Sequence, residues 1–230
     1  FSPPRYESMV LNEAILTSCT WTGVQSVDFA PYCVDEYFQT LFNFAIECSA
    51  SVKTLPNCAA ALSLIKNITF ESPEKCMQLV QLHALEDFSL LFNEVKSHEM
   101  QKLIARIVKN ALRIDDVPLE LGRFAIEMYL PTFRSSLDRL TQLDIEVIHL
   151  FCLSGIDYAR YFMDTIGPQK FFNVYETASV DVRISILKMW KEMTECPDKE
   201  VSYSSLFVPW DTLVRAIEID ESNKELECRS

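Results

Sequence analysis

The chain has 230 residues, 49% of them hydrophobic, so it can bury a substantial core and is not a disordered segment. Its formal net charge of −12 argues against nucleic acid and against an anionic membrane as the main partner. Only four glycines occur, too few for a sheet with tight turns or for a phosphate-binding loop. The composition therefore predicts an all-α protein.

The eight cysteines indicate buried free thiols, with a disulfide framework as the alternative. Their spacing is irregular, most stand beside apolar helical positions, and no Cys-x-x-Cys pair occurs. We therefore expect no metal, no cofactor and an intracellular location, cytoplasmic or nuclear. No apolar run reaches the roughly 18 residues that cross a membrane. The chain begins with phenylalanine, so we interpret it as a fragment or a processed form.

In chain order, the first predicted helices precede residue 52. A loose lead-in covers residues 1–5, a helix follows at about 5–19, and a loop occupies 21–31. The next helix, at about 34–51, has an apolar face formed by Phe38, Leu41, Phe42, Ala45 and Ile46.

Four helices are predicted between residues 55 and 113. The first opens at Pro56, the second at Pro73 and the third at Glu86, and a long helix runs from Ser97 to about Arg113. The first and the last of these end alike, with Lys-Asn-Ile at 66–68 and Lys-Asn-Ala at 109–111. These endings are 43 residues apart.

The remaining chain is also predicted to be helical. After a break at 115–118, one helix runs from Leu119 to Pro131 and a second from about 133 to 151. Shorter helices follow, and an acidic tail begins at Glu221; the helices are at about 157–165, 171–177, 182–195 and 210–219. No long linker occurs, so we predict a single domain of residues 1–230, frayed at 1–5 and 221–230.

A repeat of about forty residues connects these helices. Residues 180–195 match the long helix at 98–113 at a shift of 82, and Gly167 corresponds to His83 at a shift of 84. A period of this length, built from two or three helices, is typical of a helical solenoid.

The repeat resembles the armadillo family, whose unit ends in a third helix with a pattern like Leu-x-x-Leu-x-Asn-Leu. Residues 61–68 and 104–111 look like this pattern. The resemblance implies a right-handed solenoid of about four to five irregular repeats, with third helices lining a groove. Histidine replaces the expected glycine at His83, glutamate replaces asparagine at Glu192, and residues 114–156 fit a unit poorly. A HEAT-like or irregular helical domain is the alternative.

Cations and asparagines recur on the non-core side of these long helices. The candidate partner-binding residues are Lys66, Asn67, Lys102, Arg106, Lys109, Asn110, Arg113, Lys188, Lys191 and Trp190. The cations suit an acidic extended peptide or an amphipathic helix, and the asparagines suit hydrogen bonds to its backbone. The resemblance would place them in the groove. The simpler interpretation is that the lysines are solvated and Trp190 packs in the core.

No catalytic motif is apparent, so we do not expect an enzyme. We expect a non-enzymatic interaction scaffold or adaptor that binds a segment of a protein partner, with neither nucleic acid nor membrane as a partner. The alternative is a homodimerisation domain in which apolar residues partly face a second copy; these are Phe38, Phe42, Phe171 and Phe172. An irregular helical enzyme is the third possibility.

Overall fold

A computed structural model of the protein describes residues 35–70, 72–135 and 139–195. Within these ranges every regular element is a helix and no strand occurs, which confirms the predicted all-α class. The predicted helices at 5–19 and 210–219 and both predicted frayed ends lie outside these ranges. The helices are α1 (Asp35–Ser49), α2 (Leu55–Thr69), α3 (Pro73–Gln81), α4 (Ala84–Glu94), α5 (His98–Ala111), α6 (Leu119–Gly122), α7 (Phe124–Glu127), α8 (Leu130–Ser135), α9 (Gln142–Leu153), α10 (Ile156–Ile166), α11 (Pro168–Thr177) and α12 (Val180–Glu195).

The chain forms two compact units that meet between Met128 and Tyr129 in sequence. The first unit contains α1–α7 and the second contains α8–α12. None of the described helices is both long and apolar enough to cross a membrane.

In the first unit, α2 packs mainly against α1 and α5, while α5 also contacts α3 and α4. The apolar faces predicted from helical spacing point inward, so that Leu62, Ile65 and Ile104 are fully buried. Phe42 of α1 meets Phe88 of α4 edge to face, with 5.5 Å between ring centroids. The unit therefore has one continuous core.

An ion pair joins the starts of α1 and α3. The Lys75 ammonium lies 2.8 Å from the Asp35 carboxylate and above the ring of Phe38, and its side chain is nearly buried. Gln78 donates a 2.9 Å hydrogen bond to the Asp35 carbonyl. Pro73 stands in the first turn of α3, where a missing N–H is tolerated. The helix start predicted at Pro73 is therefore confirmed.

In the second unit, α9 packs mainly against α10 and α12. A cluster of aromatic rings fills its core. Phe171 meets Phe162 at 5.3 Å and Trp190 at 6.2 Å, and Tyr175 stacks on Trp190 at 5.5 Å. These contacts bury α12 along one side only, since Val182, Ile186 and Met189 face inward while Ile184 faces outward.

Each unit has a residue of positive φ between two of its helices. His83, between α3 and α4, has φ 55° and ψ 26°, and Gly167, between α10 and α11, has φ 83°. Both therefore have the positive φ that favours glycine. Each turn joins the two shorter helices that precede a long one, but ψ differs, at 26° for His83 and 141° for Gly167, so the correspondence between the two residues stays a prediction.

We expect His83→Gly to raise the free energy of unfolding by about 1 kcal/mol. A left-handed backbone costs other residues about 1–2 kcal/mol, and the freedom of glycine in the unfolded chain offsets only part of this. Little packing is lost because the His83 side chain is exposed. Urea unfolding followed by circular dichroism measures the difference, and a less stable variant would contradict the assignment.

Gly167→Ala is the matched control. It should lower the free energy of unfolding by about 1–3 kcal/mol, since an L-residue is strained at this φ. A Cβ at Gly167 would meet no atom within 4 Å. Any loss would therefore come from the backbone conformation alone.

The predicted helices between residues 119 and 151 are wrong in detail. Three short helices, α6–α8, replace the single helix ending at Pro131, and Pro131 stands in the first turn of α8. The helix predicted from 133 is also interrupted, because α9 begins only at Gln142. Asp144 fixes that start: its carboxylate accepts hydrogen bonds of 2.7 Å from the Thr141 N–H and hydroxyl.

Candidate functional site

Asn110 joins the C-terminal ends of α2 and α5. Its side-chain amide donates to the Lys66 carbonyl and to the Thr69 hydroxyl oxygen, both at 3.1 Å. The last carbonyls of a helix lack partners within the helix, so Asn110 supplies a cap to α2 from a neighbouring helix. The last turn of α5 thus lies beside the last turn of α2. Since the two helices also pack against each other, they run in the same direction.

Asn110 therefore belongs to the framework of the first unit. Its side chain is only 8% exposed and its amide N–H groups are directed at α2. We had expected it to hydrogen-bond the backbone of a partner. The corresponding residue of α2, Asn67, is half-buried and also makes an interaction within the chain.

The cations of α2 and α5 form the basic surface of the first unit, which we define as Lys66, Lys102, Arg106, Lys109 and Arg113. Lys102, Arg106 and Lys109 recur at intervals of four and three residues on the side of α5 opposite its buried residues, and Arg113 follows just after the end of α5. Arg106 and Arg113 are exposed, while the three lysines are half-buried.

Tertiary packing brings Lys66 of α2 close to Arg106 of α5. The pKa of Lys66 is lowered, first because partial burial disfavours its charged form and second because the Arg106 guanidinium repels it. Arg113 lies near the start of α3, where its charge acts on the Cys76 thiol. The basic surface therefore runs from α2 across α5 to a point near the start of α3.

Acidic side chains neutralise this surface only in part. Lys102 lies 3.6 Å from the Glu99 carboxylate, in an exposed pair that contributes little. Lys109 also makes an interaction within the chain. Within the described ranges, no carboxylate comes within ion-pair distance of Lys66, Arg106 or Arg113.

The remaining three candidates lie on α12 in the second unit. Lys188 and Lys191 are exposed, and Lys191 makes an interaction within the chain. Trp190 is 4% exposed and packs against Phe171 and Tyr175. It thus contributes to the core of this unit and presents no surface to a partner.

A histidine–glutamate contact in the second unit takes the place of the Asn110 cap. His149 of α9 has Nε2 3.3 Å from Oε2 of Glu192 on α12, although the angle is not that of a hydrogen bond. Glu192 follows Asn110 by 82 residues and His149 follows Lys66 by 83. In both units, therefore, a polar side chain near the end of the last long helix reaches the preceding long helix.

Sequence reasoning missed the role of His149. One indication of this contact was present in the sequence, because glutamate stands at position 192 where the repeat pattern predicts asparagine. A carboxylate only accepts hydrogen bonds, so it favours a donor or a cation on the neighbouring helix. Only the packing of α9 against α12 identifies His149 as the neighbour of Glu192, because the two residues are 43 positions apart in sequence.

We expect the second unit to lose stability as the pH falls through about 6.5, the ordinary pKa of histidine. Burial lowers the pKa of His149, while Glu192 and Glu146 act in the opposite direction. The unfolded chain therefore binds the proton more readily, so stability is fully present above this pH and decreases below it.

His149→Gln removes the titrating group and should make the free energy of unfolding less dependent on pH. Urea unfolding near pH 7.5 and again near pH 5.5 measures the two differences. If wild type and variant lost the same stability between these pH values, the account of His149 would be wrong.

The described residues offer little chemistry for catalysis. No group of three or more His, Cys, Asp or Glu side chains that could hold a metal ion occurs among them. Burial raises the pKa of Cys58 and of Cys76 to about 11, so neither thiol is a ready nucleophile near neutral pH. Cys48, Cys58, Cys76 and Cys152 are all buried with free thiols.

The phenylalanines considered for self-association are mostly internal. Phe38, Phe42 and Phe171 are buried in their own units, so they offer no surface to a second copy. The structure does not describe the side chain of Phe172.

Comparison with known proteins gives no relative. No protein-family model, no curated protein and no solved structure matches the chain. The resemblance to the armadillo family thus rests on the sequence pattern alone.

Proposed function

We propose that the protein is a non-enzymatic interaction module of the armadillo type, and that its first unit binds an acidic segment of a partner protein. The segment lies along α2 and α5 on the basic surface. An extended peptide and an amphipathic helix both satisfy this description. The buried free thiols suit a reducing compartment.

The repeated arrangement of helices supports the armadillo interpretation. In each unit a long helix is followed by two shorter ones and by a second long helix, as α2–α5 and as α9–α12. The positive-φ turn and the polar contact between long helices recur at equivalent positions. A stack of such units leaves one face of its long helices for binding.

The single observation that carries the functional proposal is the electrostatic repulsion between Lys66 and Arg106 across the packed helices α2 and α5. Two cations from different helices repel each other there, and within the described ranges no acid compensates them. A carboxylate placed between them would relieve the repulsion and gain two charge-assisted hydrogen bonds. The surrounding protein is acidic, so this surface would attract a ligand of opposite charge only locally.

Selection from a random peptide library displayed on phage, with the full chain as bait, tests this proposal. We expect the enriched peptides to carry several aspartates or glutamates. Their affinity should fall as salt rises from about 50 to 500 mM, because surface charges are screened more strongly.

Enriched peptides without an acidic bias, or affinities that do not respond to salt, would contradict the proposal. A selection that enriches nothing would contradict it as well. A scrambled version of each enriched peptide separates recognition of a sequence from simple attraction of charge.

A further inference from the structure

An exposed aromatic ring lies at the C-terminal end of α2. Phe70, the residue that ends this helix, is 42% exposed, whereas every other phenylalanine whose side chain the structure describes is buried or half-buried. Its φ of −67° is that of a helix, so its Cβ continues the spiral of α2. Phe70 therefore lies one turn beyond Lys66 on the same face, with about 5–6 Å between their Cβ atoms.

Thr69 connects this ring with the far end of the basic surface. Its hydroxyl oxygen accepts a hydrogen bond from the Asn110 amide of α5 at 3.1 Å, and its carbonyl accepts one from the Cys76 thiol at 3.3 Å. The charge of Arg113 acts on that same thiol, so Arg113 also lies near the last turn of α2. Because Phe70 directly follows Thr69, an apolar ring adjoins the cations there.

We infer that Phe70 binds one large apolar side chain of the acidic segment, so that the ligand combines carboxylates with a residue such as phenylalanine or leucine. This inference rests on the proposed function and makes its ligand more specific. Alternate side chains of an extended peptide are about 7 Å apart, and residues three or four apart on a helix are about 5–6 Å apart. Either spacing lets a carboxylate reach Lys66 while a nearby apolar side chain covers Phe70.

Area and charge favour the acidic segment over a second copy of the chain as the occupant. The exposed part of Phe70 amounts to about 60–100 Å², since an aromatic side chain presents about 150–250 Å² in all. A stable dimer buries about 800 Å² on each subunit. A symmetric contact at this ring would also set the cations of the basic surface against each other, whereas carboxylates would pair with them.

Selection from the displayed peptide library, run in parallel on the wild-type chain and on the Phe70→Ala variant, tests the inference. We expect peptides enriched on the wild type to carry a large apolar residue within about four positions of an aspartate or glutamate. Peptides enriched on Phe70→Ala should keep the acidic residues and lose this apolar preference. Leu90→Ala is the matched control, since it removes an apolar side chain that is 59% exposed on α4, and it should enrich the same peptides as the wild type.

Titration calorimetry with one selected peptide measures the contact itself. Phe70→Ala should weaken binding by about tenfold or more, because about 60–100 Å² of apolar surface is no longer removed from water. For a peptide whose apolar residue is replaced by alanine, the same substitution should change the affinity by less than about twofold, since both changes remove one contact. Phe70→Leu keeps an apolar side chain and should retain most of the affinity.

Full affinity of Phe70→Ala, with Arg106→Glu still weakening the peptide, would overturn the inference and leave the proposed function intact. Additive losses from the changes in protein and peptide would overturn it as well, because the apolar residue would then bind elsewhere. The alanine peptide tests the contact on the unaltered protein, and an unchanged affinity for it would also contradict the inference. A wild-type dimer that Phe70→Ala dissociates in sedimentation equilibrium would assign the ring to a second copy and overturn it too.

Discussion

Replacing Asn110 with leucine is expected to lower the free energy of unfolding by about 2 kcal/mol. The change removes one buried and one partly buried hydrogen bond and leaves the Lys66 carbonyl at the end of α2 without its cap from α5. Leucine keeps the branched shape and the heavy-atom count of asparagine but is larger, so the loss combines the polar contacts with some overpacking at this buried position. Urea unfolding of the two proteins, followed by circular dichroism, measures the difference.

Asn93→Leu is a matched control for Asn110→Leu. Asn93 is exposed, and its amide donates only to the Ser89 carbonyl of its own helix. Surface changes of this kind alter stability by about 0.5 kcal/mol or less. Equal losses for the two variants would show that the contact between α2 and α5 adds nothing specific.

Reversing the charge of Arg106 should weaken binding of an acidic peptide by about tenfold or more. The introduced carboxylate would repel the peptide and would also pair with Lys66, so one substitution removes two cations from the basic surface. Titration calorimetry with a peptide selected against the wild-type chain measures the change. Arg106→Glu should also lessen the dependence of affinity on salt.

Lys96→Glu is the control for Arg106→Glu, because it makes the same change in net charge at an exposed position outside the basic surface. Its effect on affinity should be within about twofold, because salt screens an exposed charge that does not contact the peptide. A similar loss for both variants would mean that the peptide responds to overall charge and not to a defined site.

Strong helical periodicity allowed most long helices to be predicted from the sequence. The alternation at Met100, Ile104, Ile107 and Ala111 gave α5 to within two residues, and Pro73 marked the start of α3. The prediction failed at residues 119–141, because several short helices follow one another there and show no clear hydrophobic period. The Thr141 and Asp144 pair was the one local signal for the start of α9.

The candidate site shows a different limit of sequence reasoning. Asn110 lies between the apolar and the basic side of α5, and helical spacing alone does not decide which neighbour it faces. The packing of α2 against α5 decides it, because this packing directs the amide at the Lys66 carbonyl. The approach of Lys66 to Arg106, 40 residues later, is likewise a consequence of tertiary structure.

His83 and Glu192, where the sequence departs from the armadillo pattern, each have a defined setting in the described chain. His83 adopts the positive φ of Gly167 at a cost of about 1–2 kcal/mol, which the packing of α3 and α4 offsets. Glu192 preserves the contact between long helices through His149 and thereby makes that contact sensitive to pH.

The position of a bound acidic peptide tests the central claim most directly. A selected peptide with a diazirine at its centre is cross-linked to the full chain, and the modified residues are identified by mass spectrometry. The account predicts modification within residues 55–69 and 98–113, which contain α2 and α5. Modification confined to other helices of the chain would contradict it.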